Sequence, residues 1–282
     1  VVGGFVDSSL PLPKALYLSH HQARVYSSTR WFLSSHEYIN YLLTGEARCV
    51  LHADDALRWY WDGRMLADLG LDASKFPLMC RPKDVVGHVT ALASRALGLP
   101  AGIPVFAAGP DFLVSILGCA AVAPGQTCNR SGTSDGINLC TERPFTDNRL
   151  MTYLHPVKPY HNISGIISTT GKAIGWIKQL VGLGDSPFDS LYRLMAQARA
   201  GSAGLVFLPY LCGERAPIWD PKAKGVFNGL TLDTGSAELA RSVAEGVCFA
   251  IRDVIETMEE LGGRVGDLRI TGGPAESEFL NQ

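Results

Sequence analysis

The chain lacks most of the features that would assign it to a specialised class. It has no excess of charge of either sign: 25 Lys and Arg face 27 Asp and Glu, for a formal net charge of −2. Without a basic field, duplex nucleic acid and anionic membrane surfaces are excluded as main partners. No uninterrupted apolar run approaches the ~18 residues that a membrane helix needs. The seven cysteines are scattered, odd in number and contain no Cys-x-x-Cys pair. That pattern predicts reduced thiols in a cytoplasmic protein, with neither a disulfide framework nor a zinc site. The seven histidines show no metal-ligand spacing, so no metal site is expected of them. Internal repeats and low-complexity tracts are absent. An initiator methionine and a signal peptide are missing as well, and the last residues, Phe279 to Gln282, read as a helix just starting.

What is present is a well-mixed globular composition of 46% hydrophobic and 18% charged residues over 282 positions, enough for about two domains. Pro11-Leu12-Pro13 predicts a proline-stiffened turn before a helix carrying Ala15, Leu16, Leu18 and Val25. Ser35 to Leu43 reads as a short helix stopped by Gly45, and a further helix is expected within His88–Leu97. Ile103 to Ala108 is short and apolar and predicts a buried strand, broken by Gly109-Pro110 before a helix that opens at Asp111. A boundary is expected near Ala123–Gln126, dividing the chain into 1–123 and 124–282. Beyond it, Thr127–Ser131 and Gly136–Thr141 flank a tight turn and predict a β-hairpin. Strands are expected at Ile163–Ser168 and Leu205–Leu208, and a helix over Gly171–Val181. Ser186-Pro187-Phe188-Asp189 carries a helix-start signal with Ser186 as cap. The longest element begins at Ser236, where Leu239, Val243, Val247, Ile251, Val254, Met258 and Leu261 recur at helical spacing until Gly262-Gly263.

Three places could carry chemistry. The turn Ser131-Gly132-Thr133-Ser134 offers backbone amides and hydroxyls that could converge on an anion. Gly272-Gly273 stands between a strand and a helix start, where amide donors and the helix dipole favour a phosphate. Either could equally be a plain turn. Asp111, at a strand end and a helix start, could orient a hydroxyl and accept its proton, or could simply cap the helix. Glu214-Arg215 reads as a structural ion pair, and Trp59-Tyr60-Trp61 as an apolar anchor rather than a sugar-stacking surface.

Taken together, these segments resemble the FGGY family of carbohydrate kinases, most closely its xylulokinase and gluconokinase branches. The likeness is strongest from Leu205 through Cys212-Gly213-Glu214-Arg215-Ala216-Pro217 to Asp220-Pro221 and Gly225 to Thr231. It continues in Glu238 to Gly246, and it is partly kept in Ser9 to Lys14 and in Leu43-Thr44-Gly45-Glu46. The resemblance implies an α/β chain with two actin-like, ribonuclease-H-like domains, each incomplete in this sequence. Residues 1–123 would be the end of a sugar-binding domain and 124–282 the start of a nucleotide-binding one. It also implies ATP with Mg²⁺, a small sugar as the other substrate, and leaves a homodimer open.

By the same resemblance Asp111 takes the position of the catalytic base in a Gly-Gly-x-Asp-Gln/Asn motif, and Phe112 stands at the sugar-contacting position that follows it. Ser131, Gly132, Thr133 and Ser134 match a phosphate loop, Gly171 a glycine against the nucleotide, and Gly273 and Ser277, next to Gly272, an adenosine motif. Five residues depart from the pattern: Pro110, Phe112, Arg130 and Asp135 on either side of the phosphate loop, and Pro274. A phenyl ring cannot supply the hydrogen bonds of an amide, so a changed sugar grip is expected, or a binding protein without turnover. An Asp-x-Gly-Thr phosphate turn is absent from these 282 residues.

Overall fold

The structure is a computed structural model that describes residues 10–51 and 60–281. The chain forms two compact units, Val1–Val114 and Ser115–Gln282.

In the first unit the chain runs through α1 (Pro11–His21), α2 (Ala23–Ser28), α3 (Ser35–Thr44), β1 (Arg48–Val50), α4 (Gly63–Asp68), β2 (Leu78–Cys80), β3 (Val85–His88), α5 (Ala91–Leu97) and β4 (Pro104–Phe106). Pro11 and Pro13 lie inside the first turn of α1 rather than before it. The first helical residues have no intrahelical acceptor to lose, so proline costs nothing there. Ser34, whose N–H donates to Glu37 Oε2 at 2.8 Å, precedes α3, and Gly45 ends it at φ +77°. The other oxygen of Glu37 accepts the Val50 N–H at 2.7 Å, so one buried carboxylate fastens α3 to β1.

β1 pairs with β2 in parallel and β3 with β4 in antiparallel fashion. The expectation of a buried strand at 103–108 is corrected here. β4 pairs with β3 alone among the described residues, and Pro104 and Phe106 are exposed. An apolar run does not reveal how many neighbours a strand has. The core of this unit gathers Leu12, Ala15, Cys49, Trp61, Leu66, Leu71 and Phe76. Trp61 meets Phe76 edge-on at 5.1 Å, which makes it the apolar anchor expected of the aromatic run, whereas Trp59 lies outside the described residues. α6 (Asp111–Gly118) carries the chain from the first unit into the second.

The second unit is built on a five-stranded sheet in the order β11-β5-β6-β8-β7. Its strands are β5 (Gln126–Ser131), β6 (Asp135–Thr141), β7 (Met151–Leu154), β8 (His161–Ile167) and β11 (Asp267–Thr271). β11 joins β5 in parallel and the other pairs are antiparallel. Between β8 and β11 come α7 (Gly171–Leu180), α8 (Phe188–Met195), β9 (Val206–Leu208), β10 (Val226–Asn228) and α9 (Ser236–Glu260). Pro187, not Ser186, takes the cap position of α8, because its extended backbone makes Phe188 the first helical residue.

α9 is the organising helix. One stretch of it covers Ile137, Leu139, Ile163 and Ile167 with Ala250, Val254 and Met258. Its earlier turns pack Ala240, Val243 and Val247 on Ile174, Ile177, Leu191, Met195 and Phe207. The chain ends in a 3₁₀ turn, Gly273–Glu276, and α10 (Glu278–Asn281), so the helix expected directly after Gly272-Gly273 is delayed by one turn.

Candidate functional site

Three chain segments of the second unit meet at one end of the sheet. The β5–β6 turn comes first, with Ser131 and Asp135 as its closing pair. The start of α7 lies against it: Gly171 N–H donates to Gly132 O at 3.1 Å, and Thr170 and Lys172 N–H donate to Thr133 O at 3.3 and 3.2 Å. A Cβ on Gly171 would overlap the Gly132 carbonyl oxygen, so the residue is glycine because two backbones touch there. The third segment is the turn after β11. Gly272 has φ +90°, and a Cβ on it would overlap the Ser131 carbonyl oxygen. Two glycines thus hold two turns against the same hairpin loop.

Beneath the loop lies Asp135, which is 1% exposed. Its Oδ1 accepts the hydroxyls of Ser131 at 2.8 Å and Thr170 at 2.5 Å, and its Oδ2 accepts the Asn129 amide at 2.9 Å. These bonds tie β5, β6 and the start of α7 together. They also commit the Ser131 hydroxyl, one of the groups expected to face an anion, to the protein itself. The donors that remain outward belong to Thr133 and Ser134. Among the described residues their amides and hydroxyls make no hydrogen bond within the protein, and Thr133 is exposed. A turn with two free amides and two free hydroxyls, stiffened from behind, fits an oxyanion such as a phosphate. No group of three potential metal-ligating side chains is found among the described residues.

Gly273 opens the 3₁₀ turn. Ser277 is mostly buried, and its Oγ accepts the Leu280 N–H at 3.3 Å at the head of α10. It also hydrogen-bonds Tyr192, whose hydroxyl burial pushes above its ordinary pKa. Asp111 and Phe112 belong to the first unit. Asp111 is the exposed first residue of α6, and its Oδ1 accepts the Phe112 N–H at 2.8 Å. Because α6 begins at Asp111 itself, the residue lies inside the first turn and not at the cap position that one sequence reading gave it.

Glu214 differs from expectation. Its Oε1 accepts the N–H groups of Ser168 and Arg215, both at 2.7 Å, while Arg215 Nε donates to Ser168 Oγ at 3.3 Å. The carboxylate serves the backbone at the end of β8, where the sequence suggested a side-chain ion pair. Its Oε2 and the Thr169 hydroxyl are buried without a hydrogen bond. Sequence reasoning missed Asn129, Thr169 and Thr170. The hint available was the adjacent Thr169-Thr170 pair just before a glycine, which can present hydroxyls at a helix start.

Residues 2–118 match the N-terminal domain, and residues 128–282 the C-terminal domain, of the FGGY family of carbohydrate kinases. The chain belongs to this family. It is similar to the xylulose kinase of Staphylococcus epidermidis, with 27% identity over 96% of this chain and 56% of the relative. The gluconokinase of Bacillus subtilis is 26% identical over 96% of this chain and 56% of its own length. The crystal structure of xylulose kinase from Rhodospirillum rubrum superposes with a TM-score of 0.74 at 28% identity, over 98% of this chain and 57% of that one. The FGGY chain described here is therefore a mixed α/β protein with two FGGY domains, consistent with the actin-like ATPase fold. It spans a little over half the length of the curated relatives it matches.

Proposed function

We propose that this FGGY chain takes part in ATP-dependent phosphorylation of a small sugar: a keto-pentose such as xylulose, or a sugar acid or polyol. The relatives named xylulose kinase and gluconokinase support the substrate class. The observation that carries the nucleotide half is the turn Thr133-Ser134, whose free donors face outward from a loop pinned by Asp135 and by the start of α7. Residues 1–123 would supply the end of the sugar-binding domain and residues 124–282 the start of the nucleotide-binding one. Ser131, Gly132, Thr133 and Ser134 would cradle the β- and γ-phosphates, with Mg²⁺ bridging them. Gly171 and Gly272 would let their backbones close on the loop beside the nucleotide, and Gly273 and Ser277 would border the adenosine. Phe112 would shape the sugar side.

Phosphoryl transfer has a loose transition state, so the protein contributes mainly alignment and charge compensation. Asp111 would accept the proton of the sugar hydroxyl as that oxygen bonds to the γ-phosphorus and the bond to ADP breaks. The seven free cysteines support a cytoplasmic setting, and no helix among the described residues is long and apolar enough to cross a membrane.

The test is ADP release, followed by a coupled assay, with ATP and a panel containing xylulose and gluconate. Turnover on at least one of them is expected. Asp111→Asn should abolish it while leaving nucleotide affinity within about three-fold, because the substitution removes a base and keeps the side chain's size. An Asp111→Asn protein that turns over like the parent overturns the assignment of the base. A second reading rests on a specific observation: a buried carboxylate, Asp135, lies directly behind the turn proposed to receive an anion, and Phe112 cannot hydrogen-bond a sugar. Calorimetric binding of sugar or nucleotide with no ADP release across the panel would favour a sensor built on the kinase fold.

A further inference from the structure

The thiols of Cys119 and Cys128 touch. Their sulfurs are 3.2 Å apart, with Cys128 donating to Cys119. Both residues belong to the second unit, Cys119 directly after α6 and Cys128 in β5. Cys128 is wholly buried, whereas Cys119 is partly exposed. The contact is held by more than the two side chains. Arg269 of β11 stands opposite Cys128 in the parallel β11–β5 register, and its Nη1 donates to the carbonyls of Cys119 at 2.8 Å and Ala120 at 2.6 Å. The same guanidinium therefore fixes the turn that carries Cys119 above the strand that carries Cys128. Ala120, next in the chain, has φ +53°, a left-handed conformation that a residue with a Cβ adopts only under constraint. The segment is built to keep the two sulfurs adjacent.

We propose that Cys119 and Cys128 form a vicinal dithiol site that a peroxide oxidises to an intramolecular disulfide. The sulfur of Cys119, the partly exposed member of the pair, attacks hydrogen peroxide. An S–O bond forms, the O–O bond breaks, and the departing hydroxide takes the thiol proton as water. The Cys128 sulfur then attacks the Cys119 sulfenic acid. An S–S bond forms, the S–O bond breaks, and the second water leaves with the Cys128 proton. Two thiols lose two electrons, and the peroxide gains them. Burial, reinforced by the hydrogen bond with Cys119, pushes the Cys128 thiol up to about 12, so Cys128 stays protonated at neutral pH and acts second. Cys212 and Cys248, both exposed, have no thiol partner among the described residues and serve as internal controls. The bond would tie the start of β5 to the turn after α6. β5 ends in Ser131, so oxidation would clamp the strand that leads into the phosphate turn.

The experiment reads the chemistry directly on the full chain. The folded protein is treated with hydrogen peroxide, alkylated in denaturant with iodoacetamide and digested with trypsin. Arg95 and Arg130 bound one peptide, residues 96–130, which contains Cys119 and Cys128 and no other cysteine. The expected product is this peptide about 2 Da lighter than its reduced form, carrying no alkyl group and returning to a doubly alkylated form after dithiothreitol. Cys119→Ser should leave Cys128 fully alkylated after the same treatment. Recovery of the wild-type peptide with both cysteines alkylated overturns the proposal. So does a Cys119 carried to the sulfinic acid, or one joined to another cysteine, while Cys128 stays free.

Discussion

Asp135 shows how much one buried side chain can determine. It satisfies two hydroxyls and one amide that come from two other segments, Asn129 and Ser131 of β5 and Thr170 at the start of α7. Removing it leaves three buried donors without an acceptor, and each costs about 1–3 kcal/mol unless water reaches it. Asp135→Ala should therefore destabilise the second unit by about 2–4 kcal/mol, read as a lower urea midpoint at unchanged slope. A variant within about 0.5 kcal/mol of the parent would mean that water replaces the carboxylate and that the hub is not structural. Gly171 makes a complementary case. Alanine there drives a methyl group into a backbone carbonyl, which cannot step aside as a side chain end can. Gly171→Ala should move the Gly132–Ser134 turn and weaken nucleotide binding at least ten-fold by calorimetry, about 1.4 kcal/mol. Unchanged affinity would detach the turn from the nucleotide.

At the scale of elements, two glycines inside helices separate propensity from packing. Alanine is worth about 1 kcal/mol over glycine in a helix interior. Gly175 lies within α7 with nothing within 4 Å of where its Cβ would be, so Gly175→Ala should stabilise by about 0.5–1 kcal/mol. Gly246 lies within α9, where the same methyl group would overlap the Phe207 carbonyl of β9. Overpacking of that kind costs about 1–3 kcal/mol and should outweigh propensity, so Gly246→Ala should lower the thermal midpoint while Gly175→Ala raises it. A raised midpoint for Gly246→Ala as well would show that the α9–β9 contact is soft.

The same contrast explains what could be read before folding. α9, α3 and the β5–β6 hairpin were legible because their information is local: a 3.6-residue stripe, a glycine stop and a tight turn between two short flanking runs. The exposure of β4 was not legible, since local pattern cannot count neighbouring strands. The candidate turn was legible as Ser131 to Ser134, but its support was not. Thr170 lies 35 residues beyond Asp135, and Arg269 reaches the carbonyl of Cys119 across 150 positions. Contacts of that range leave no periodic trace in a sequence.

For the molecule as a whole, a net charge of −2 means that general repulsion contributes little near neutrality, so the response to acid is set by particular groups. His155 is the first of them to act. It is 4% exposed, its Nδ1 accepts the Val157 N–H at 3.0 Å, and its Nε2 lies 3.0 Å from the Ala121 carbonyl. With Nδ1 as acceptor the ring is neutral and its proton is on Nε2, which donates to Ala121. Burial lowers its pKa below the ordinary histidine value, although the contact with the Ala121 carbonyl opposes the shift. The folded state therefore binds a proton less readily than the unfolded chain. As pH falls past about 6.5, the unfolded state takes up protons that the folded state refuses, and unfolding becomes easier. The stability that His155 confers is complete above that value and declines as pH drops toward the folded-state pKa. Asp147 and Glu245 follow at lower pH. Asp147 is held below the ordinary carboxylate range by its hydrogen bonds with Arg149, and Glu245 by bonds from Arg241, Ser202 and Gly201 that outweigh its burial. Their stabilisation is present above the unfolded carboxylate pKa and is lost as pH falls through the folded one. Urea midpoints measured between pH 8 and pH 5 should thus fall below about pH 6.5. His155→Gln should flatten that segment of the curve while leaving the carboxylate-driven loss at lower pH in place. An identical pH profile for the variant would transfer the neutral-range dependence to another histidine.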